Sequence, residues 1–380
     1  MKSSSPPTAY YPALTGLRAL AALAVFCFHQ HPPQLAPVTS LATAGLAVLS
    51  ELHIGVSIFF TLSGYLITRR YAGQRFGVAD WGRYLGHRVA RIMPVYAVLL
   101  TAVFVGRLVK IHLPFWKWLG LYFIHLSLAN GLVERWALSG IVQAWSLSVE
   151  EGFYALAPVV FWLGGRYGPR RAWPGLALGL AAVGLGLYSM LPALGSPLFM
   201  LKGTIFGRLT EFLIGAAFAW RPPQLRHRWA TGGGALGLAA VLGLLVLVQY
   251  LMHHISLDTY PGVAINNLLL PVATGWLLHG LAHERTRASR LLSTPAWQLL
   301  GRASYCFYLI HMGPLANGLE ARLAPRLPAL LLPLALLGPL VLAALALYFG
   351  LERPAHRWLL AWFGRRGLPH QAATPARHQL

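Results

Sequence analysis

The chain is built from apolar runs that approach or exceed the roughly 18–20 residues a helix needs to cross hydrocarbon. They recur at about 11–30, 42–68, 92–108, 142–163, 173–191, 205–220, 232–252, 263–281, 295–314 and 328–349. They are too long, and alternate too little, to be strands of a membrane barrel. The expected fold is therefore an all-α polytopic membrane protein, a single bundle of about ten transmembrane helices with a polar internal cavity. Charge agrees: 11% of residues are charged, against about 25% in soluble domains. Mean hydropathy is +0.56.

The few charges are strongly basic, 31 Lys+Arg against 10 Asp+Glu, for a net +21. In a soluble protein that excess would suggest nucleic acid. Here the bases gather between apolar runs, as in Arg69, Arg70, Arg75, Arg83, Arg88 and Arg91. That is the pattern of cytoplasmic loops against anionic headgroups. There is no zinc-finger spacing and no Walker loop, so no nucleic-acid partner is expected. The basic linkers at 166–171, 221–228, 285–290 and 353–366 are each separated by two runs. All four can share the cytoplasmic face with the 69–91 linker only if an even number of spans lies between Arg91 and Arg166. The short apolar segment 118–128 is then a non-crossing piece. Both termini fall in the cytoplasm, and Lys110, Lys117 and Arg135 face outward. Counting 118–128 as a span gives the eleven-span alternative. The first run carries Arg18 and reads as a retained span rather than a signal peptide. The layout is a short tail at 1–10, a transmembrane domain at 11–357 and a basic, polar cytoplasmic tail at 358–380.

Polar residues inside such runs are costly and are functional candidates by default. Arg18 and His29 bracket the apolar stretch of the first run. Eleven residues apart, they project from one helix face about 16 Å apart along the axis. One is expected near a membrane surface and the other about half a bilayer deep. A second constellation is Trp145, Ser146, Ser148, Glu150 and Glu151 at the head of a run. Ser146 stands where an N-cap would, with both carboxylates in the first turn; an ordinary polar helix start reads equally well. Arg208 and Glu211 sit at i,i+3 and can pair within their run. Arg88 and Arg91, before Pro94 and Tyr96, suit either headgroup anchoring or bidentate phosphate binding. Tyr308 and His311 follow Gly301 and Ser304 on a later run, where small residues favour close helix packing. His53, His253, His254 and His279 read as interfacial or internally bonded, and none shows zinc-ligand spacing. Cys27 and Cys306 read as small buried hydrophobes. No metal is expected.

The segments LTGLRALAALAVFCFH, GVSIFFTLSGYLI, HRVARIMPVYAVLL, WSLSVEEGFYALAP, GRLTEFLIGAAFA, LGRASYCFYLIHMGP and YFGLERPAHR occur in this order over nearly the whole chain. Together they resemble the membrane-bound acyltransferase-3 family, bacterial O-acyltransferases of sugars and small molecules. Arg18 and His29 match its Arg-x10-His signature, and Arg88 and Arg91 its donor-side arginines. Trp145 to Glu150 match Trp-Ser-Leu-x-x-Glu, and Arg208, Glu211 and Phe212 match Arg-x-x-Glu-Phe. Thr15 and Ser57 depart from it, standing where aspartate is common. The resemblance implies transfer of an acyl group, by default acetyl, from acyl-CoA to a hydroxyl at a bacterial cytoplasmic membrane. The acceptor would be a saccharide or another envelope or secreted molecule, and the other partners membrane lipids. His29 would be the general base with Glu150 orienting it. Arg18, Arg88 and Arg91 would hold donor phosphates, and Ser146 would face the oxyanion. Trp145, Ser148, Glu151, Arg208, Glu211 and Tyr96 would support them. A secondary transporter or flippase, with the same residues as a relay, is the alternative.

Overall fold

The computed structural model describes residues 10–30, 40–71, 78–108, 114–220, 229–329 and 331–365, and every regular element among them is helical. Arg75, Lys110, the 221–228 linker and the tails at 1–9 and 366–380 lie outside the described residues. α1 (Pro12–Gln30) starts on a proline, where the missing N–H costs nothing. α2 (Leu41–Ser50) is opened by a reciprocal Ser40–Thr43 capping box and leads to α3 (Ile54–Tyr71).

The run at 42–68 is thus not one helix but two, bent by 41°. The break holds Glu51, whose buried carboxylate accepts from His53 Nε2 at 2.9 Å, from the Ser256 N–H at 3.1 Å and from the Ser256 hydroxyl. A carboxylate this deep is tolerated only when bonded, and the break lets His53 fold back onto it.

α4 (Val78–Leu108) absorbs part of the basic linker. Pro94, expected in a first turn, is therefore interior, because the helix already begins at Val78. α5 (Phe115–Leu126) has 12 residues, about 18 Å, too short for a ~30 Å hydrocarbon core. α6 (Ala144–Tyr167) starts before Ser146, with Gln143 at its cap position. Ser146 is consequently inside the first turn and no N-cap; its hydroxyl donates to the Gln143 carbonyl at 2.9 Å. Glu150 and Glu151 move to the second turn.

α7 (Pro169–Met190) and α8 (Ile205–Trp220) follow, then α9 (Ala230–Met252) and α10 (Tyr260–His283). α10 contains a π-helical turn at Ile265–Leu269. α11 (Pro295–Ile310) precedes α12 (Leu332–Leu347), which runs through a second π-helical turn, Tyr348–Glu352, into α13 (Arg353–Arg365). Glu284, just past α10, ties it to α9 by accepting the Ala230 and Thr231 N–H groups at 2.7 and 2.9 Å. Burial pushes its carboxyl up, but these bonds and the Thr231 hydroxyl hold it below the usual range.

Among the described residues six helices are long and apolar enough to cross a membrane, or seven when the bent α2–α3 pair counts as one span. The protein is an all-α, multi-pass membrane protein. The expected ten spans are not all of that kind: α8 and α11 have 16 residues each, and α6 carries two carboxylates.

Two close helix crossings set the site. A Cβ on Gly64 of α3 would lie 2.0 Å from the Phe212 carbonyl oxygen, and one on Gly215 of α8 would lie 2.0 Å from that of Thr61. Only glycine permits that approach. Gly301 lets α11 press on α1 in the same way, its Cβ position being 2.0 Å from the Thr15 carbonyl oxygen. Phe212 stacks on Phe60 and Phe153 at 4.9 and 4.3 Å between ring centres, at the heart of the core.

Candidate active site

α1 carries Arg18 in its second turn and His29 one residue from its end. Arg18 is thus set about 9 Å into the helix and His29 about 16 Å beyond it.

At the Arg18 level several elements bring charge together. Arg18 Nε donates to the Ser304 hydroxyl of α11 at 3.4 Å, and its guanidinium lies 5.9 Å from the Phe59 ring centre. Its electrostatic neighbours are Arg91, Glu150, Tyr154 and Glu352. Glu150 accepts from the Ser63 hydroxyl at 2.6 Å and from the Tyr154 hydroxyl. Arg88 stands over the rings of Tyr154, Tyr84 and Tyr71 at 5.2, 5.5 and 6.0 Å, a cation–π arrangement. Its Nε is buried without a hydrogen-bond partner, as is Glu151 Oε1. Glu352, in the second π turn, accepts from Cys306 Sγ at 3.0 Å. The structure therefore gathers Arg18, Arg88, Arg91 and Glu150. It gives Glu150 the partners Ser63 and Tyr154 rather than His29.

At the His29 end the neighbour is another histidine. His29 Nδ1 lies 2.9 Å from the Val25 carbonyl oxygen and 3.1 Å from His311 Nε2. His311 is buried, and its Nδ1 lies 2.7 Å from the Tyr308 carbonyl oxygen. Ser146 meets the Tyr308 hydroxyl at 2.7 Å, so the Trp-Ser-Leu segment reaches His29 through α11. Phe28 places an edge toward His53 at 5.5 Å between ring centres.

The other expected residues sit elsewhere. Arg208 and Glu211 form a buried pair at 2.5 Å; Arg208 also donates to the Lys202 carbonyl at 2.6 Å and to the Ser57 hydroxyl at 3.1 Å. Its guanidinium lies 5.8 Å from the Trp145 ring centre. Ser148 donates to the carbonyl of Leu128 at 2.5 Å, a residue in the left-handed backbone region. Tyr96 donates to the His125 carbonyl at 2.7 Å, joining α4 to α5. Among the described residues no group of three or more His, Cys, Asp or Glu could hold a metal ion. Sequence reasoning gave no role to His311, Ser63, Tyr154 or Glu352. The signal for His311 and Glu352 was their place in polar motifs near the ends of otherwise apolar runs.

The acyltransferase-3 model, described as an acyltransferase domain, matches residues 11–349. The chain belongs to that family of membrane acyltransferases. Acyltransferase MdmB of Streptomyces mycarofaciens is 29% identical, with 98% of this chain and 97% of that protein aligned. The O-acetyltransferase OatA of Staphylococcus aureus is 24% identical, with 80% of this chain and 50% of that protein aligned. A putative O-acetyltransferase of S. aureus strain COL is 23% identical over the same shares. The chain thus spans about half the length of these staphylococcal relatives. No solved structure matches it.

Proposed function

We propose that this protein moves an acyl group, acetyl by default, from acyl-CoA to a hydroxyl of a saccharide or another envelope or secreted acceptor. The observation that carries the reading is the layout of α1. A cluster of guanidinium groups surrounds Arg18, and an imidazole lies about 16 Å further along the same helix. A donor with phosphates at one end and a thioester at the end of a long arm suits that separation. Arg18, Arg88 and Arg91 bind the phosphates, for which guanidinium forks are well shaped. Glu150 and Glu352 keep the arginine cluster from repelling itself apart when empty.

His29 acts as general base. Its free imidazole nitrogen takes the proton of the acceptor hydroxyl as the oxygen attacks the thioester carbonyl. The tetrahedral intermediate collapses, the C–S bond breaks, and the departing thiolate takes the proton back from the imidazolium. The products are the ester and CoA thiol. No metal takes part in these steps.

Thiol release from acetyl-CoA by purified protein plus acceptor tests the reaction class, since a transporter or flippase releases none. His29→Ala should reduce turnover by about 10² to 10⁴-fold, the usual worth of a general base. Normal turnover in that variant removes His29 from the chemistry. The domain at 11–357 lies in a bacterial cytoplasmic membrane with its basic linkers and both termini inside. Reporter fusions after Arg70, Arg170, Arg287 and the C-terminus should all report cytoplasm. An outward report at Arg170 would make α5 part of a crossing segment.

A further inference from the structure

The structure assigns His311 as the positioning residue that fixes the proton of His29 on Nδ1 and leaves Nε2 free as the base. This rests on the reading of His29 given above.

The assignment follows from two carbonyl groups. A carbonyl oxygen only accepts. His311 Nδ1, 2.7 Å from the Tyr308 carbonyl oxygen, must carry a proton. In a neutral imidazole the other nitrogen is then an acceptor, so His311 Nε2 presents a lone pair. The atom facing it at 3.1 Å is His29 Nδ1, which also faces the Val25 carbonyl oxygen at 2.9 Å. Both neighbours accept, so His29 Nδ1 is the donor, shared between them. Which ring nitrogen bears the proton is set by what the other nitrogen meets. The lone pair of His29 is consequently on Nε2, turned away from α11.

The pairing does more than hold a tautomer. When Nε2 takes the acceptor's proton, the ring becomes an imidazolium whose Nδ1–H bond is now charge-assisted, and such bonds are roughly twice as strong as neutral ones. His311 Nε2 receives that strengthened bond without itself taking the proton. The rings lie 5.1 Å apart between centres at 47°, and His311 is also stacked on Phe307 at 6.1 Å and 17°. The Tyr308 hydroxyl, one turn before His311, is pinned by Ser146 at 2.7 Å. The acceptor nitrogen thus sits on a ring that has little freedom to turn. α11 is also held against α1 at its other end, where Gly301 meets the Thr15 carbonyl.

Two amide variants separate positioning from folding. His311→Asn places an amide where Nδ1 was. It keeps a donor for the Tyr308 carbonyl but cannot reach His29. His311→Gln places its amide oxygen near the position of Nε2 and restores an acceptor. His311→Asn should lower kcat about 10- to 10²-fold, below the full worth of a base, with the acyl-CoA KM within about twofold. His311→Gln should recover most of kcat. In the His29→Ala background His311→Asn should cost nothing further, because residues acting as one unit are not additive. Melting of each purified variant in detergent checks the fold. Near wild-type kcat in a folded His311→Asn protein, equal loss in folded Asn and Gln variants, or additive loss in the double variant overturns the assignment. Normal turnover in His29→Ala removes the base reading itself. An inactive His29→Ala enzyme beside a fully active His311→Asn enzyme removes only the positioning role.

Discussion

Arg18 and Arg208 both sit in apolar helices, and their surroundings are opposite. Arg208 is 2% exposed and ion-paired: its Nε donates to the Lys202 carbonyl, its Nη1 to Glu211 and the Ser57 hydroxyl, and its guanidinium lies against Phe60 and Trp145. Arg18 is half-buried, its hydrogen bond among the described residues a 3.4 Å contact with Ser304, and its electrostatic neighbours include Arg91 as well as Glu150 and Glu352, neither of them within ion-pair distance. A buried cation already paired with a carboxylate has its charge balanced inside the protein and gains less from a ligand anion. One without a direct ion pair, with another cation near it, can take an anion. The first reads as architecture and the second as a binding group.

The sharpest way to break this contrast is to strand Arg208. Glu211→Ala leaves an uncompensated buried cation, which typically costs about 3–5 kcal/mol. The variant should show a collapse in folded yield and in detergent melting temperature. Replacing both partners with methionine should be far milder, since well-packed apolar pairs often match a buried ion pair. A folded double-methionine protein that has lost all turnover would move Arg208 from architecture into the chemistry.

The opposite side of the contrast is tested through affinity. Arg88→Ala and Arg91→Ala should each weaken acyl-CoA binding by about 10- to 10²-fold, the worth of a charged hydrogen bond. The loss should be greater at low salt, where screening is weaker. Lysine should restore only part, having the charge but not the fork. Calorimetry on solubilised protein reads this directly. Unchanged donor affinity in both folded variants would leave the two arginines as headgroup anchors.

Much of this was legible in the sequence, and the illegible parts share a cause. The helices follow from apolar run length, and the Arg208–Glu211 pair from i,i+3 spacing, because both are local. The break at Glu51 depends on Ser256, which is distant in sequence. The partner of His29 is the residue that caps α11, with a sequence separation of 282. The family resemblance cast Glu150 as the acid that orients His29, whereas its hydrogen-bond partners are Ser63 and Tyr154. Spacing predicts which face a side chain leaves by, but which helix that face meets is decided by crossings such as Gly64 on Phe212 and Gly301 on Thr15. The N-cap reading of Ser146 failed more locally. The helix begins at Ala144, with Gln143 in its cap position lacking a side-chain cap bond.

The smallest expected effect compares the two serines that serve the two arginines. Ser57 accepts from Arg208 at 3.1 Å in a buried setting, and Ser304 from Arg18 at 3.4 Å. Ser57→Ala removes one good bond from a charge that is 2% exposed. It should cost about 1.5 kcal/mol or somewhat more, within the range for bonds to charged groups. Ser304→Ala removes a bond near the limit of useful length from a guanidinium that other groups can still solvate. It should cost under about 0.5 kcal/mol, in the range of an ordinary surface change. Chemical unfolding of the two variants in one detergent measures the difference. If Ser304→Ala proves the more damaging, Arg18 is held as firmly as Arg208. The division between a closed arginine and an open one would then have to be drawn at Arg88 and Arg91 instead.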